Sequence, residues 1–305
     1  RYFVAMGFFS KRAQRNSPPD LLTSMVSSAL AAAGLNAKQI NAEEFRVDER
    51  TLSLVSLRRV LQDVPHERWQ GEVNRWVSIA TTDPERGTGE CLDDVRDLLV
   101  LRIVHRAMFS QTKAEATEAA RAALHMTSDL YVLPALDFPD RVETVTSLET
   151  YGGWEAIWPV AEANLRALPT PEHSMLDLPA GTTPEAAVHL LETEDFFGAS
   201  RVLILAEALA AASGQKIEAP LGMIVAMPSR HILGVHVITS AAGVVGATEL
   251  LSSVATADLP GPLSDLIHYV SPDGSLQPIS SRGKNGLTSI LAQGAFGEVL
   301  AALPE

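Results

Sequence analysis

Cysteine is almost absent from the sequence, which holds a single one, Cys91, among 305 residues. A lone cysteine cannot form an internal disulfide, which is typical of proteins kept in a reducing cytosol. We interpret Cys91 as an inert thiol, because a nucleophilic cysteine needs a partnered base nearby. No uninterrupted apolar segment reaches the ~20 residues that a membrane-spanning helix requires. The apolar run at residues 2–9 precedes Lys11 and Arg12, the reverse of the order in a secretion signal, so a cytoplasmic location is predicted.

Positive charge is also scarce. The chain carries 24 lysine and arginine residues against 37 aspartate and glutamate residues, a formal net charge of −13. Non-specific nucleic-acid binding needs a cationic surface to displace counterions, so we predict no nucleic-acid partner. An acidic surface suits a basic protein partner, and it leaves room for a small basic pocket.

Signatures of catalysis, cofactors and metals are missing too. Residues 281–286 hold glycines and a lysine before a predicted helix but lack the spacing of a phosphate-binding loop. No Gly-x-Ser-x-Gly motif surrounds Ser229, and neighbours such as Arg230 and His231 rarely face a serine as a catalytic set. His231 and His236 are five residues apart and point to opposite faces of a strand, which makes a poor metal pair. We predict no metal and no cofactor, and a polar turn at Ser229.

The spacing of apolar residues predicts an α+β fold, because some stretches follow helical periodicity and others alternate. We expect mixed, largely antiparallel sheets with helices packed on their faces, in two lobes. Residues 1–90 are predicted to form a helix-hairpin-helix lobe, and residues 91–305 a larger α+β lobe with a mixed sheet. The charged segment 83–89 is predicted to be a flexible loop. Residues 112–125 fit either a helix or an exposed insertion.

The centre of the larger lobe is predicted to be a helix followed by two strands. Ser200 is the predicted N-cap of the helix, and Gly214 suits the left-handed residue after its end. Apolar side chains surround this helix, so we expect it to be covered on most sides. The apolar runs 221–227 and 232–238 predict strands joined by a tight turn that begins with Pro228.

Two further helices are predicted on either side of this centre. One spans residues 150–168 and is expected to break into two pieces at Pro159, which removes a backbone hydrogen bond. The other closes the chain over residues 286–303.

Five polar residues are the candidate ligand-binding residues: Asn164, Arg166, Arg201, Arg230 and His231. Arg201 directly follows the predicted N-cap, where the helix dipole disfavours a cation. An arginine is tolerated there if its guanidinium binds a carboxylate or a phosphate. Internal salt bridges with Glu162, Asp195 or Glu207 are the alternative for these arginines. Both interpretations stay open at the level of the sequence.

Several short motifs follow one another in a set order: Asn164-Leu165-Arg166 with Leu168-Pro169, then Ala199-Ser200-Arg201, then a strand-Met227-Pro228-strand hairpin, then Tyr269, Gly274, Leu276 and Pro278. In this order they resemble the domain of unknown function 1444 family, the bacterial YtpQ-like proteins, over roughly residues 98–280. The resemblance implies a soluble, cytoplasmic, bacterial α+β protein and carries over no activity and no catalytic residue. The chain departs from the family pattern at residues 112–125 and in its extended C-terminal helix.

Two functional hypotheses follow from these observations. The leading one is a non-enzymatic protein-binding or adaptor module, because catalytic constellations are missing and small apolar helices suit packing on a partner. The alternative is an enzyme or small-ligand receptor that recognises an anionic group through Arg201, Arg230 and His231. The two hypotheses differ in whether the arginines converge with His231 in one concave pocket.

Overall fold

A computed structural model describes residues 21–303 except for 42–43, 48–49, 55–56, 59–60, 62–63, 82–88, 111–112, 139–140, 177–183, 258, 260 and 284–287. The chain divides into two compact units, residues 1–83 and residues 84–305. Of the predicted flexible loop 83–89, all but Gly89 lies outside the described residues, and so does Lys284. The described elements confirm an α+β protein with helices and antiparallel sheets.

The first unit consists of helices and a three-stranded antiparallel meander whose strands pair in chain order. Its elements are α1 (Leu21–Ala32), β1 (Ala37–Asn41), β2 (Glu44–Val47), β3 (Arg50–Ser53) and α2 (Trp69–Thr81), with a 3-10 turn at His66–Arg68 before α2. One apolar core joins the helices to the meander and includes Val26, Phe45, Leu52 and Trp76. The sequence did not predict β1, because its residues are mostly polar and exposed and lack the alternation that marks a half-buried strand.

The second unit is larger and holds three antiparallel sheets among its described residues. Its strands are β4 (Leu99–His105), β5 (Leu124–His125), β6 (Leu130–Asp137), β7 (Val142–Thr144), β8 (Glu172–Met175), β9 (His189–Glu192), β10 (Met223–Ser229), β11 (Ile232–Val237), β12 (Ile267–Val270), β13 (Leu276–Pro278), β14 (Ser280–Arg282) and β15 (Thr288–Ile290). Its helices are α3 (Leu92–Val95), α4 (Lys113–Ala122), α5 (Gly153–Ala167), α6 (Leu205–Ser213), α7 (Ala241–Ala255) and α8 (Gly294–Ala302). Shorter 3-10 segments lie at Arg106–Ser110, Leu148–Tyr151, Pro184–Ala186 and Ala199–Ile204.

The main sheet of this unit has the strand order β13-β12-β10-β11-β9-β8. All seven residues of β10 are buried, so both faces of the sheet are covered at its centre. Because successive side chains of a strand point to opposite faces, Ile224 and Ala226 pack with residues of α7, such as Leu251. Val225 and Leu233 belong to the core on the opposite face.

A smaller sheet contributes to that second core. Its order is β4-β6-β5, and β7 pairs with the other part of β6. Leu99 and Leu101 of β4 share one apolar cluster with Ile157 and Leu165 of α5 and with Val225 of the main sheet. Strand β4 therefore lies at the edge of its own sheet and within the core that the two sheets share.

The central helix starts later than the sequence predicts. Residues 199–204 form a 3-10 segment, and the α-helix begins at Leu205. Ser200 does not cap it, because its Oγ accepts a hydrogen bond from the backbone N–H of Ile103 at 2.9 Å. The serine thus ties the 3-10 segment to the edge of β4. The predicted end of the helix is confirmed, since Gly214 adopts a φ of 68°.

The strand pair that follows is confirmed as β10 and β11, but the turn between them is displaced. Pro228 lies inside β10, where the pairing with β11 shifts register between Ala226 and Ser229. Arg230 and His231 form the turn itself. A proline has no N–H to give to a ladder, so an irregular position of this kind is where a strand tolerates it.

Three other predictions meet a clear outcome. Helix α5 runs unbroken through Pro159, so the expected interruption is wrong. The last helix begins at Gly294 rather than at residue 286, because Thr288–Ile290 pairs with β14 instead. Residues 112–125, for which both a helix and an exposed insertion were predicted as alternatives, contain α4 and the short strand β5.

Within the described residues, no helix combines the length and the apolar character that a bilayer crossing needs.

Candidate functional site

A cavity of about 710 Å³ lies in the second unit beside the end of β4. Its described lining residues are Arg102, Ile103, Val104, His105, Ala107, Met108, Pro228, Arg230, Ala255, Thr256, Ala257, Gly261, Pro262, Leu263, Ser264, Asp265 and Arg282. They come from β4 and the segment after it, the β10–β11 turn, the end of α7, the loop before β12, and β14. Cavities of several hundred Å³ are typical of small-molecule sites.

Backbone hydrogen bonds hold the turn and the loop of this cavity together. Arg230 donates its backbone N–H to the carbonyl of Gly261 at 3.1 Å and accepts one from Ala199 at 3.0 Å. Leu263 donates to the carbonyl of Pro228, and Ser264 donates to that of Met227, both at 3.0 Å. The backbone N–H groups of Arg230, Leu263 and Ser264 are therefore already bonded within the protein, and their side chains remain to contact a ligand.

Gly261 allows the loop to approach Arg230. Its φ is 67°, in the left-handed region that favours glycine, and a Cβ at this position would lie 2.9 Å from Nε of Arg230. The glycine therefore serves both the backbone conformation and the space for the arginine side chain.

Arg102 is the most unusual residue of the cavity. It interrupts the apolar sequence of β4 and is only partly exposed. No carboxylate of the described residues pairs with it, and the charge acting on it most is that of Arg230. Burial lowers the pKa of Arg102, and the positive charge of Arg230 lowers it further. A half-buried guanidinium without a counterion costs folding free energy, because it is partly removed from water without a partner. Such a residue in a cavity indicates a candidate anion-binding site.

Arg230 is oriented by its neighbours without being neutralised. Its guanidinium lies over the ring of Phe196, 4.2 Å from the centroid, and its Nε donates to Nε2 of His231 at 3.1 Å. Nδ1 of His231 therefore carries the proton and donates to the carbonyl oxygen of Asp195 at 2.8 Å. Burial lowers the pKa of both Arg230 and His231, which suits a neutral imidazole as the acceptor. His231 acts here as a positioning residue for Arg230.

The remaining polar lining does not neutralise Arg102 and Arg230. Arg282 donates to Asp265 at 3.3 Å, and Asp265 is the one carboxylate among the described lining residues. Nδ1 of His105 accepts the backbone N–H of Ala107 at 3.2 Å, so its neutral form keeps a proton on Nε2 for another acceptor. The end of α7 contributes a partial negative charge, which the backbone N–H of Thr256 reduces by binding two of its last carbonyls. Three arginines against one aspartate leave the cavity cationic, in a chain whose net charge is −13.

The other two predicted arginines lie outside this cavity and are paired with carboxylates. Arg201 is 2% exposed, binds both carboxylate oxygens of Asp195 at 3.0 and 2.9 Å, and donates to the carbonyl of Pro169 at 2.9 Å. Arg166 is exposed and pairs with Glu162 and Glu207, each at 2.8 Å. These are internal salt bridges, and the hydrogen bonds that Arg166 donates to Glu207 and Glu162 raise its pKa.

Two further residues considered in the sequence have structural partners. The side-chain amide of Asn164 donates to the carbonyls of Arg96 and Leu99, at 2.7 and 2.8 Å, and so holds α5 against the start of β4. Ser229 is buried, and its Oγ accepts the backbone N–H of His231 at 3.2 Å. Neither side chain is presented to the cavity by these contacts.

Of the five predicted residues, Arg230 lines the cavity and His231 contacts Arg230. Arg201 lies outside the cavity but shares Asp195 with His231, and Asn164 and Arg166 have their partners elsewhere. Sequence reasoning missed Arg102, His105 and Arg282, which come from other strands. The available signal was Arg102, because a single charge within an otherwise apolar strand must find a partner or a ligand.

No family model, curated protein or solved structure matches this chain. The similarity to the YtpQ-like proteins therefore stays a prediction, and function has to be argued from the cavity. Among the described residues, no three histidine, cysteine or carboxylate side chains are grouped to hold a metal ion.

Proposed function

We propose that the unit formed by residues 84–305 is a receptor for a small anionic ligand, which binds in the cavity between Arg102 and Arg230. The observation that supports the proposal is that Arg102, half-buried and without a carboxylate partner among the described residues, lines the same cavity as a second arginine. A guanidinium fork binds carboxylate, sulfate or phosphate oxygens in bidentate fashion, and such charge-assisted bonds are strong where water is partly excluded. An anion would remove the repulsion between the two arginines.

The proposal takes up the receptor hypothesis and moves its residues from Arg201 to Arg102. The adaptor hypothesis remains as the competing outcome, because an acidic chain also suits a basic protein partner. Purification of the chain from its native host, followed by mass spectrometry, separates the two. A stable co-purifying protein whose binding is insensitive to the arginines favours the adaptor.

Isothermal titration calorimetry with inorganic phosphate and with sulfate, at low ionic strength, tests the receptor directly. We expect binding that weakens as salt is added, and a loss of affinity of about tenfold or more in Arg102→Met and in Arg230→Met, because each removes a charge-assisted contact. Arg166→Met is the matched control, since it deletes an arginine that already has carboxylate partners, and it should bind like the wild type.

The same variants carry a second signature. Without ligand, Arg102→Met should be more stable than the wild type by ~1 kcal/mol in chemical denaturation, because it removes an unpaired, half-buried charge. Wild-type protein that binds neither anion, together with an Arg102→Met variant that is no more stable, would overturn the proposal.

A further inference from the structure

The charge and the lining of the cavity narrow the class of ligand. The two arginines that lack a carboxylate, Arg102 and Arg230, together need about two negative charges for neutralisation. Arg282 is already paired with Asp265. It can donate a further hydrogen bond at the rim, but its charge needs little additional neutralisation. A carboxylate or a sulfate ester supplies one charge, whereas a phosphate monoester carries about −1.5 to −2 at neutral pH.

The volume exceeds what an inorganic anion fills. A tetrahedral oxyanion between the arginines would leave most of the 710 Å³ to another part of the same ligand. The rest of the cavity is lined by an apolar wall, formed by Ile103, Val104, Met108, Pro228 and Leu263. A ligand that carries an apolar or planar group beside its anionic head therefore buries more surface than a free anion does.

The donor set also separates this cavity from sites for metal-bound polyphosphates. Magnesium bound with nucleotides is usually held by one or two protein carboxylates, and phosphate loops supply a row of free backbone N–H groups. Here the one described lining carboxylate, Asp265, is engaged with Arg282. The backbone N–H groups of Arg230, Leu263 and Ser264 are bonded within the protein. Recognition consequently falls to guanidinium side chains, with Nε2–H of His105 as a further donor.

We propose that the ligand is a small organic phosphate monoester, whose dianionic phosphate is held by Arg102 and Arg230 without a metal ion and whose organic part lies along the apolar wall of the cavity. This inference rests on the receptor function proposed above and adds the chemical class of its ligand.

Three probes isolate the second charge and the organic part: phenyl phosphate, phenyl sulfate and inorganic phosphate, each titrated calorimetrically in metal-free buffer at pH 8. Phenyl sulfate has the shape of phenyl phosphate but one negative charge. We expect phenyl phosphate to bind about tenfold more tightly than phenyl sulfate, and also more tightly than inorganic phosphate. In Arg102→Met the preference for phenyl phosphate over phenyl sulfate should fall to near one, while Arg166→Met should keep it.

The outcomes distinguish this inference from the receptor function. Equal affinity for the two phenyl esters, with both lost in Arg102→Met, would overturn the monoester class and leave an anion receptor. Phenyl phosphate that binds no better than inorganic phosphate would overturn the role of the apolar wall. Binding that requires added Mg²⁺ would overturn metal-free recognition. Absence of binding by all three probes would overturn the receptor function itself.

Discussion

The role of each arginine compared here depends on whether a carboxylate pairs with it. Arg201 is the most deeply buried of the described arginines and has both carboxylate oxygens of Asp195 as partners, so its charge is neutralised inside the fold. Arg102 is less buried and has no such partner among the described residues, so its charge is available to the anionic ligand proposed above. The same side chain therefore serves structure in one place and a candidate site in another.

Arg201→Met is expected to cost about 3–5 kcal/mol of unfolding free energy, because it leaves Asp195 as an uncompensated buried charge. Urea denaturation followed by circular dichroism measures the loss. The exposed pairs of Arg166 contribute little, so Arg166→Met should change stability far less. A similar small loss for both variants would contradict the structural role assigned to Arg201.

At the scale of elements, the candidate site combines side chains from strands β4 and β14 with two connections between elements. The β10–β11 turn presents Arg230, and the loop before β12 holds that turn through the carbonyl of Gly261. Both are fastened to well-packed strands, so a small backbone change in the loop should move Arg230 without unfolding the sheet.

Gly261→Ala tests this connection. We expect a loss of anion affinity, because the new Cβ would lie 2.9 Å from Nε of Arg230, and a loss of stability of ~1 kcal/mol from the positive φ. Gly214→Ala is the matched control: its φ is 68°, and nothing lies within 4 Å of its Cβ position.

Calorimetry with inorganic phosphate and thermal denaturation should separate the two glycine variants. Both should be destabilised to a similar extent, and only Gly261→Ala should bind the anion poorly. Equal affinities in the two variants would show that the loop does not position Arg230.

At the scale of the whole molecule, buried histidines make the free energy of unfolding depend on pH. His268 is 0% exposed, so its imidazole is shielded from water. Burial lowers the pKa of His268 to about 4, against the opposing charge of Asp129. Burial also lowers the pKa of His236. In the unfolded chain these imidazoles protonate near pH 6.5, so below that pH the unfolded state binds more protons.

Stability should therefore be full above about pH 6.5 and fall as the pH drops toward 4. For His268 alone, the expected loss between pH 7 and pH 5 is ~2 kcal/mol. Urea denaturation at the two pH values, on the wild type and on His268→Leu, measures the difference in slope. Exposed His125→Gln is the control and should keep the wild-type slope, and a His268→Leu variant with an unchanged slope would contradict the prediction.

Local patterns predicted the central helix and strand pair of the second unit. The continuous apolar runs and the valines of β10 and β11 were enough to predict that strand pair, and Gly214 was enough to predict the end of α6. Ser200 was misassigned, because a helix cap and a bond to the edge of another strand use the same hydroxyl, and only the position of β4 decides between them.

Composition, charge and periodicity by themselves determined an acidic α+β protein and placed Arg230 and His231 at one turn. Only the tertiary structure decided which arginines keep a free charge. Asp195 lies close to Arg201 in the sequence, whereas Arg102 and Arg230 line one cavity although 127 residues lie between them in the sequence. Ion pairing depends on distances of a few Å, and those distances are set by how the sheets pack together.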